Sequence, residues 1–138
     1  MELSPERVLA WRMRRQLLGR PAGTNTRAVV ERLCGVQAQV SGSAEQAVAA
    51  RQAEPRAGVV AEALAERAIV KTWAMRGTLH LLPADSAPAY LALIAAARTW
   101  ERGPWQRTFA TASQMAALTE AAREVLDGAV LTLSLIHI

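Results

Sequence analysis

The residues of this chain with the best claim to chemistry fall into two short runs. The first is Gly35-Val36-Gln37-Ala38-Gln39. Glutamines at i and i+2 of an extended segment project to the same face. Each amide offers an acceptor oxygen and two donor hydrogens, so the pair can hold and orient one water from both sides. Glutamine is no general base at neutral pH, but it can fix a water for attack on a cationic centre that forms with little nucleophilic help. The plainer reading is that both amides bond loop backbone or face solvent. The second run is Met75-Arg76-Gly77-Thr78-Leu79-His80-Leu81. On a strand, Thr78 and His80 alternate onto one face, with Arg76 at the tip or base of a hairpin. Such a cluster can grip phosphate, or stack and hydrogen-bond beside a sugar. Its plainer reading is a satisfied histidine on a half-buried strand.

Helices must position both runs. Ser4-Pro5-Glu6 is a helix start, with a hydroxyl cap, proline at the first turn and an acid near the positive dipole end. The pattern predicts a helix over 5–18, ended by Gly19. A second is expected from a Thr26 cap to Gly35, its apolar side carrying Val29, Val30, Leu33 and Cys34. Among those neighbours Cys34 reads as an inert buried thiol. Residues 36–42 read as a connection. Ser43 and Gln46 then form a capping box for a third helix to about Gln52, and a fourth spans 58–67. The period changes at Ile69-Val70-Lys71-Thr72-Trp73 and at Thr78-Leu79-His80-Leu81-Leu82, two short strands joined through Gly77. Helix resumes after Pro83 and Asp85. Arg102-Gly103-Pro104 is a loop, and Thr111 with Gln114 caps a last helix to about Leu126.

Several helices, a hairpin and more helices give a mainly α fold with a short β-hairpin. This is the winged-helix variant of helix-turn-helix followed by additional helices. The order places a first winged-helix domain at 1–82, a helical extension at 83–128, and the start of a truncated second winged helix at 129–132.

Of the 16 basic residues only Lys71 is lysine, and the net charge of +4 fits a polyanionic partner. Arg51, on the exposed side of the third helix, joins Arg76, Thr78 and His80 as a candidate DNA-binding or site-bracing residue. Arg12, Arg14 and Arg15 read as a solvated face that could also meet phosphate. A single cysteine excludes an internal disulfide and a multi-cysteine metal site. The sequence lacks a Walker-type loop, a GxGxxG, an HExxH and a CxxC, so neither a metal nor a cofactor is expected. No run of 18 apolar residues and no signal segment is present, which points to a cytoplasmic protein with no membrane partner.

Together, Leu33-Cys34-Gly35-Val36-Gln37-Ala38-Gln39 and Met75-Arg76-Gly77-Thr78-Leu79-His80-Leu81-Leu82 resemble the AlkZ-type DNA glycosylases, over essentially Ser4 to Thr132. That resemblance implies tandem winged-helix domains and a C-terminal β-barrel around a concave DNA-binding surface. It also implies hydrolysis of the N-glycosidic bond of alkylated purines in double-stranded DNA, including N7-alkylguanines and interstrand crosslinks, by a monomer. The family's catalytic motif is Gln-apolar-Gln in one branch and Gln-apolar-Asp in another. Gln37-Ala38-Gln39 matches the first, so Gln37 and Gln39 map onto its water-positioning pair. The rival expectation is a non-catalytic winged-helix regulator, with a recognition helix near 44–52 that reads bases through Gln46, Arg51 and Gln52.

The last six residues, Leu133-Ser134-Leu135-Ile136-His137-Ile138, turn apolar and β-branched, unlike the Ala- and Arg-rich chain before them. They are also the translation of a transposase adaptor used in sequencing libraries, so 133–138 read as an adaptor-derived artefact. The chain then reads as an N-terminal fragment, inactive alone. A sequencing read of the source locus across the junction after Thr132 is expected to continue in frame into further winged-helix and barrel sequence. A frame that stops after Ile138 would favour a small DNA-binding module instead.

Overall fold

The computed structural model describes residues 4–131; the adaptor-like tail at 133–138 and Thr132 lie outside the described residues. Helix α1 spans Pro5–Arg15, with the Ser4 hydroxyl accepting from the Arg7 N–H and proline in the first turn. It is shorter than the pattern predicts because Leu17 and Arg20 take left-handed φ values of 58° and 50°. None of its residues is buried. Its end is tied down by cations bonded to carbonyls: Arg32 Nε donates to Arg15 O at 2.8 Å and Arg51 Nε to Gln16 O at 2.9 Å. Cations near a helix C-terminus are also favoured by its dipole.

Helix α2 (Thr26–Arg32) is capped by Asn25, whose side chain accepts from the Ala28 N–H at 2.8 Å, and not by Thr26 as expected. Thr26 is buried, and its hydroxyl donates to Val59 O. A two-residue strand β1 (Val36–Gln37) follows, then α3 (Ser41–Ala49) and α4 (Val59–Ala65). The Ser43–Gln46 capping box does not form; α3 starts two residues earlier, at Ser41, with no side-chain cap. Strands β2 (Ile69–Ala74) and β3 (Thr78–Pro83) make the expected hairpin. Helix α5 (Ala87–Ala96) comes next.

The sheet has three strands in the order β1-β3-β2, all antiparallel. The segment expected as a mere connection therefore supplies an edge strand. With helices α2 to α4 against the sheet and the β2–β3 hairpin supplying its central strand and one edge, the chain has a winged-helix-like arrangement, mainly α with a small sheet.

Side chains alternate between the two faces of the sheet. One face, carrying Val36, Ile69 and Leu81, closes the core with Val29 and Val30 of α2, Val48 of α3 and Val60 of α4. The other carries Val70, Ala74 and Leu82, which pack with Ala87 and Tyr90 of α5 in a smaller apolar cluster. Asp85, just after β3, pairs with Arg27 of α2 at 2.6 Å, and that hydrogen bond, more than the one from Ser86, holds its carboxyl below the usual range.

A second compact unit begins at Ala95. Its described part holds a 3₁₀ turn (Thr99–Glu101), α6 (Gly103–Thr108) and α7 (Ala112–Leu126). Where a loop was expected at 102–104, the chain forms the start of α6. The Thr111–Gln114 capping box is complete. Among the described residues no helix is long and apolar enough to cross a membrane.

Gly35 decides whether β1 can join. It has a φ of 113°, and an added Cβ would lie 3.0 Å from Leu82 Cδ2 and 3.2 Å from Met75 Cε. Both the conformation and the contact demand glycine. Gly35→Ala is expected to lower unfolding free energy by about 1–3 kcal/mol in chemical denaturation. Gly19→Ala, at a position with nothing within 4 Å and no positive φ, should stay near neutral.

Candidate functional site

The local sequence puts both glutamines on one side of the chain. Burial alternates across Val36, Gln37, Ala38 and Gln39: the apolar pair is buried and the amides are exposed. Their face is the one opposite the helical core. Strand pairing sets Gln37 across from His80, and His80 across from Thr72, so these three form one row across the sheet. Thr78 lies two residues from His80 on the same face.

Gln37, Met75, Arg76, Thr78 and His80 line a single cleft of about 330 Å³, within the range of ligand-binding clefts, about 300–1,000 Å³. Two runs that lie far apart in sequence thus converge on one concave surface. His80 is held by its own strand. Its Nδ1 lies 2.9 Å from Thr78 O, and because a carbonyl can only accept, Nδ1 carries the proton in that contact. Neutral His80 then presents Nε2 as an acceptor. The Thr78 hydroxyl lies 3.5 Å from the same Nδ1.

Gln39 is bound differently from Gln37. Its Oε1 accepts from the Leu79 N–H at 3.0 Å, while the Ala38 N–H donates to Leu79 O at 2.8 Å. The side-chain amide therefore takes the place a backbone carbonyl would hold one step further along the β1–β3 ladder. A backbone N–H needs an acceptor, so the amide orientation follows and the Gln39 NH₂ group faces outward. Gln39 is exposed on the same side of the chain as Gln37 and is not among the residues lining the cleft.

Arg51 is not brought to the cleft. Its guanidinium donates to Gln16 O and, at 2.6 Å, to Ala47 O. Gln52, expected on the exposed side of the same helix, is 7% exposed and donates to Thr24 O. Of the three expected base-reading groups near α3, only Gln46 stays exposed without such a tie.

Cys34, expected to be buried, is exposed, because its left-handed φ of 56° turns it out of the α2 face. Burial, and to a lesser degree the neighbouring Cys34, pushes the Tyr90 phenol up. Met75 is the cleft residue that sequence reasoning did not single out. Its φ of 54° is a signal only coordinates give. Among the described residues no group of three or more His, Cys, Asp or Glu gathers as a metal site.

A family model described as DNA glycosylase AlkZ-like matches residues 30–135. The interstrand DNA cross-link repair glycosylase of Streptomyces sahachiroi is 47% identical over 133 residues, which is 96% of this chain and 36% of that protein. The solved structure of Streptomyces sahachiroi DNA glycosylase AlkZ matches with a TM-score of 0.88 at 47% identity, over 96% of this chain and 36% of that one. The chain therefore spans little more than a third of the relative it matches.

The Leu79 amide gives a local readout of the Gln39 contact. Gln39→Ala is expected to weaken its protection by about 0.5–1.5 kcal/mol in native-state hydrogen exchange. Gln37→Ala, which removes no such bond, should leave Leu79 protection unchanged.

Proposed function

The chain belongs to the DNA glycosylase AlkZ-like family, and we propose that the whole protein hydrolyses the N-glycosidic bond of alkylated purines in duplex DNA. The observation that carries this reading is the single cleft in which Gln37 meets Arg76, Thr78 and His80. In this account N7-alkylguanines are the substrates, with interstrand crosslinks among them. The protein acts as a cytoplasmic monomer without metal or cofactor.

Alkylation at N7 places positive charge on the purine and makes it a good leaving group, so the sugar moves toward an oxocarbenium ion as the bond to the base lengthens. What remains for the protein is to hold a water against the anomeric carbon and to stabilise the changing charge. Gln37 offers a free amide at the cleft surface for that water. Gln39, braced by the Leu79 N–H, directs its NH₂ group from the same side of the chain and completes the pair. Arg76 at the hairpin tip suits a phosphate, and Thr78 and His80 suit the sugar or the flanking backbone. An open cleft on a sheet face, unlike a deep pocket, admits a base that cannot swing fully out of the duplex because it is crosslinked. Arg51 braces α1 and in this account contributes to DNA binding only through that framework.

In the complete protein, Gln37→Ala and Gln39→Ala should each slow release of N7-methylguanine from duplex DNA by about 10²–10³-fold. Affinity for undamaged duplex should stay close to that of the unaltered protein. Full activity in both variants would overturn the assignment of the glutamines, and absence of release by the unaltered protein would overturn the reaction itself.

A further inference from the structure

We propose that Met75 is the apolar wall of the cleft on which the lesion base packs, and that it sets how strongly the site prefers alkylated purine to undamaged DNA. The inference rests on the glycosylase reading of the same cleft.

Met75 is the only apolar side chain among the five residues lining the cleft. It belongs to neither of the two apolar clusters and is 40% exposed, so core filling does not account for it. It holds a left-handed φ of 54° at the hairpin turn, which sets the direction its side chain takes. Its side chain reaches back to the residue before β1: a Cβ built on Gly35 would lie 3.2 Å from Met75 Cε. Gly35 thus leaves the space into which the thioether is laid, next to the exposed amide of Gln37. Arg76, Thr78 and His80 supply polar contacts from the same cleft.

An N7-alkylated purine is flat, carries delocalised positive charge, and bears an apolar substituent. A thioether suits that surface, being polarisable, unbranched and able to adapt to an irregular shape. An undamaged base pair offers neither the charge nor the alkyl group, so contact with Met75 contributes to the difference between the two and not to general DNA affinity.

The test uses the whole protein and equilibrium binding to two duplexes of one sequence. One contains N7-methylguanine on a 2′-fluorinated sugar, which keeps the glycosidic bond intact; the other is undamaged. Met75→Ala and Met75→Gln are expected to reduce the damaged-to-undamaged affinity ratio by about three- to ten-fold. Met75→Leu should hold the ratio within about two-fold, because it keeps an apolar wall. Turnover should show the same loss as a raised KM with kcat kept. An unchanged ratio in Met75→Ala would sink the proposal, as would a Met75→Leu variant as impaired as Met75→Ala, or an equal loss of affinity for both duplexes. Binding separates this outcome from the reaction: a ratio that falls in Met75→Ala while the unaltered protein releases no base leaves the wall standing and removes the glycosylase reading.

Discussion

The pairing of Val36 and Gln37 with Leu81 and His80 is the contact on which the rest of the site depends. A strand of two residues has little to hold it, and each end of this one is secured by a specific device. At the front, Gly35 adopts a φ of 113° and lets Leu82 close over its backbone. At the back, the Gln39 side chain accepts the Leu79 N–H where regular pairing has ended. Between them Val36 and Ala38 are buried in the helical core, and that burial forces Gln37 and Gln39 outward. The register follows from the alternation, since a slip of one residue would bury the amides and expose the valine. Core packing on one face of the sheet thus dictates the chemistry displayed on the other.

The two faces are treated differently along the strands. Toward α5 the second face is apolar, covered by Ala87 and Tyr90 over Val70 and Leu82. Toward the hairpin it turns polar, and Thr78, His80 and Gln37 line a cleft. The boundary falls where Met75 folds back toward Gly35. The hairpin turn holds two positive φ values, at Met75 and Gly77, and the Met75 side chain runs back to Gly35. Local backbone strain at the turn and the missing side chain at Gly35 are therefore two parts of one arrangement.

Much of this was legible in the sequence. The change from helical to strand period at Ile69 gave the hairpin, Thr111 with Gln114 gave a complete capping box, and the runs holding Gln37 and His80 stood out by residue type and spacing, with a role for Gln37 implied only by the family resemblance. What escaped had physical causes. A two-residue strand has no periodicity to detect, so β1 looked like a connection. Asn25 and Thr26 are both good helix caps, and the choice was made by Val59 O, a distant acceptor that took the Thr26 hydroxyl. Arg51 reads as a free cation in sequence, yet in the fold two carbonyls near helix ends claim it. Cys34 sits among apolar neighbours in sequence, but a left-handed φ reverses its direction.

The lining of the cleft also narrows the chemistry it can support. Among the described residues it carries an amide, a thioether, a guanidinium, a hydroxyl and an imidazole, and no carboxylate. A glycosidic bond to an ordinary neutral base usually needs an acid to protonate the departing base, or a carboxylate to stabilise the oxocarbenium ion. Among the described lining residues the one fixed charge is Arg76, which has the wrong sign to stabilise a cationic sugar. The glycosylase reading proposed above takes the driving charge from the substrate, a purine that alkylation has already made cationic. On that reading neutral amides would suffice, since a water attacking the anomeric carbon as the base departs needs orientation more than deprotonation.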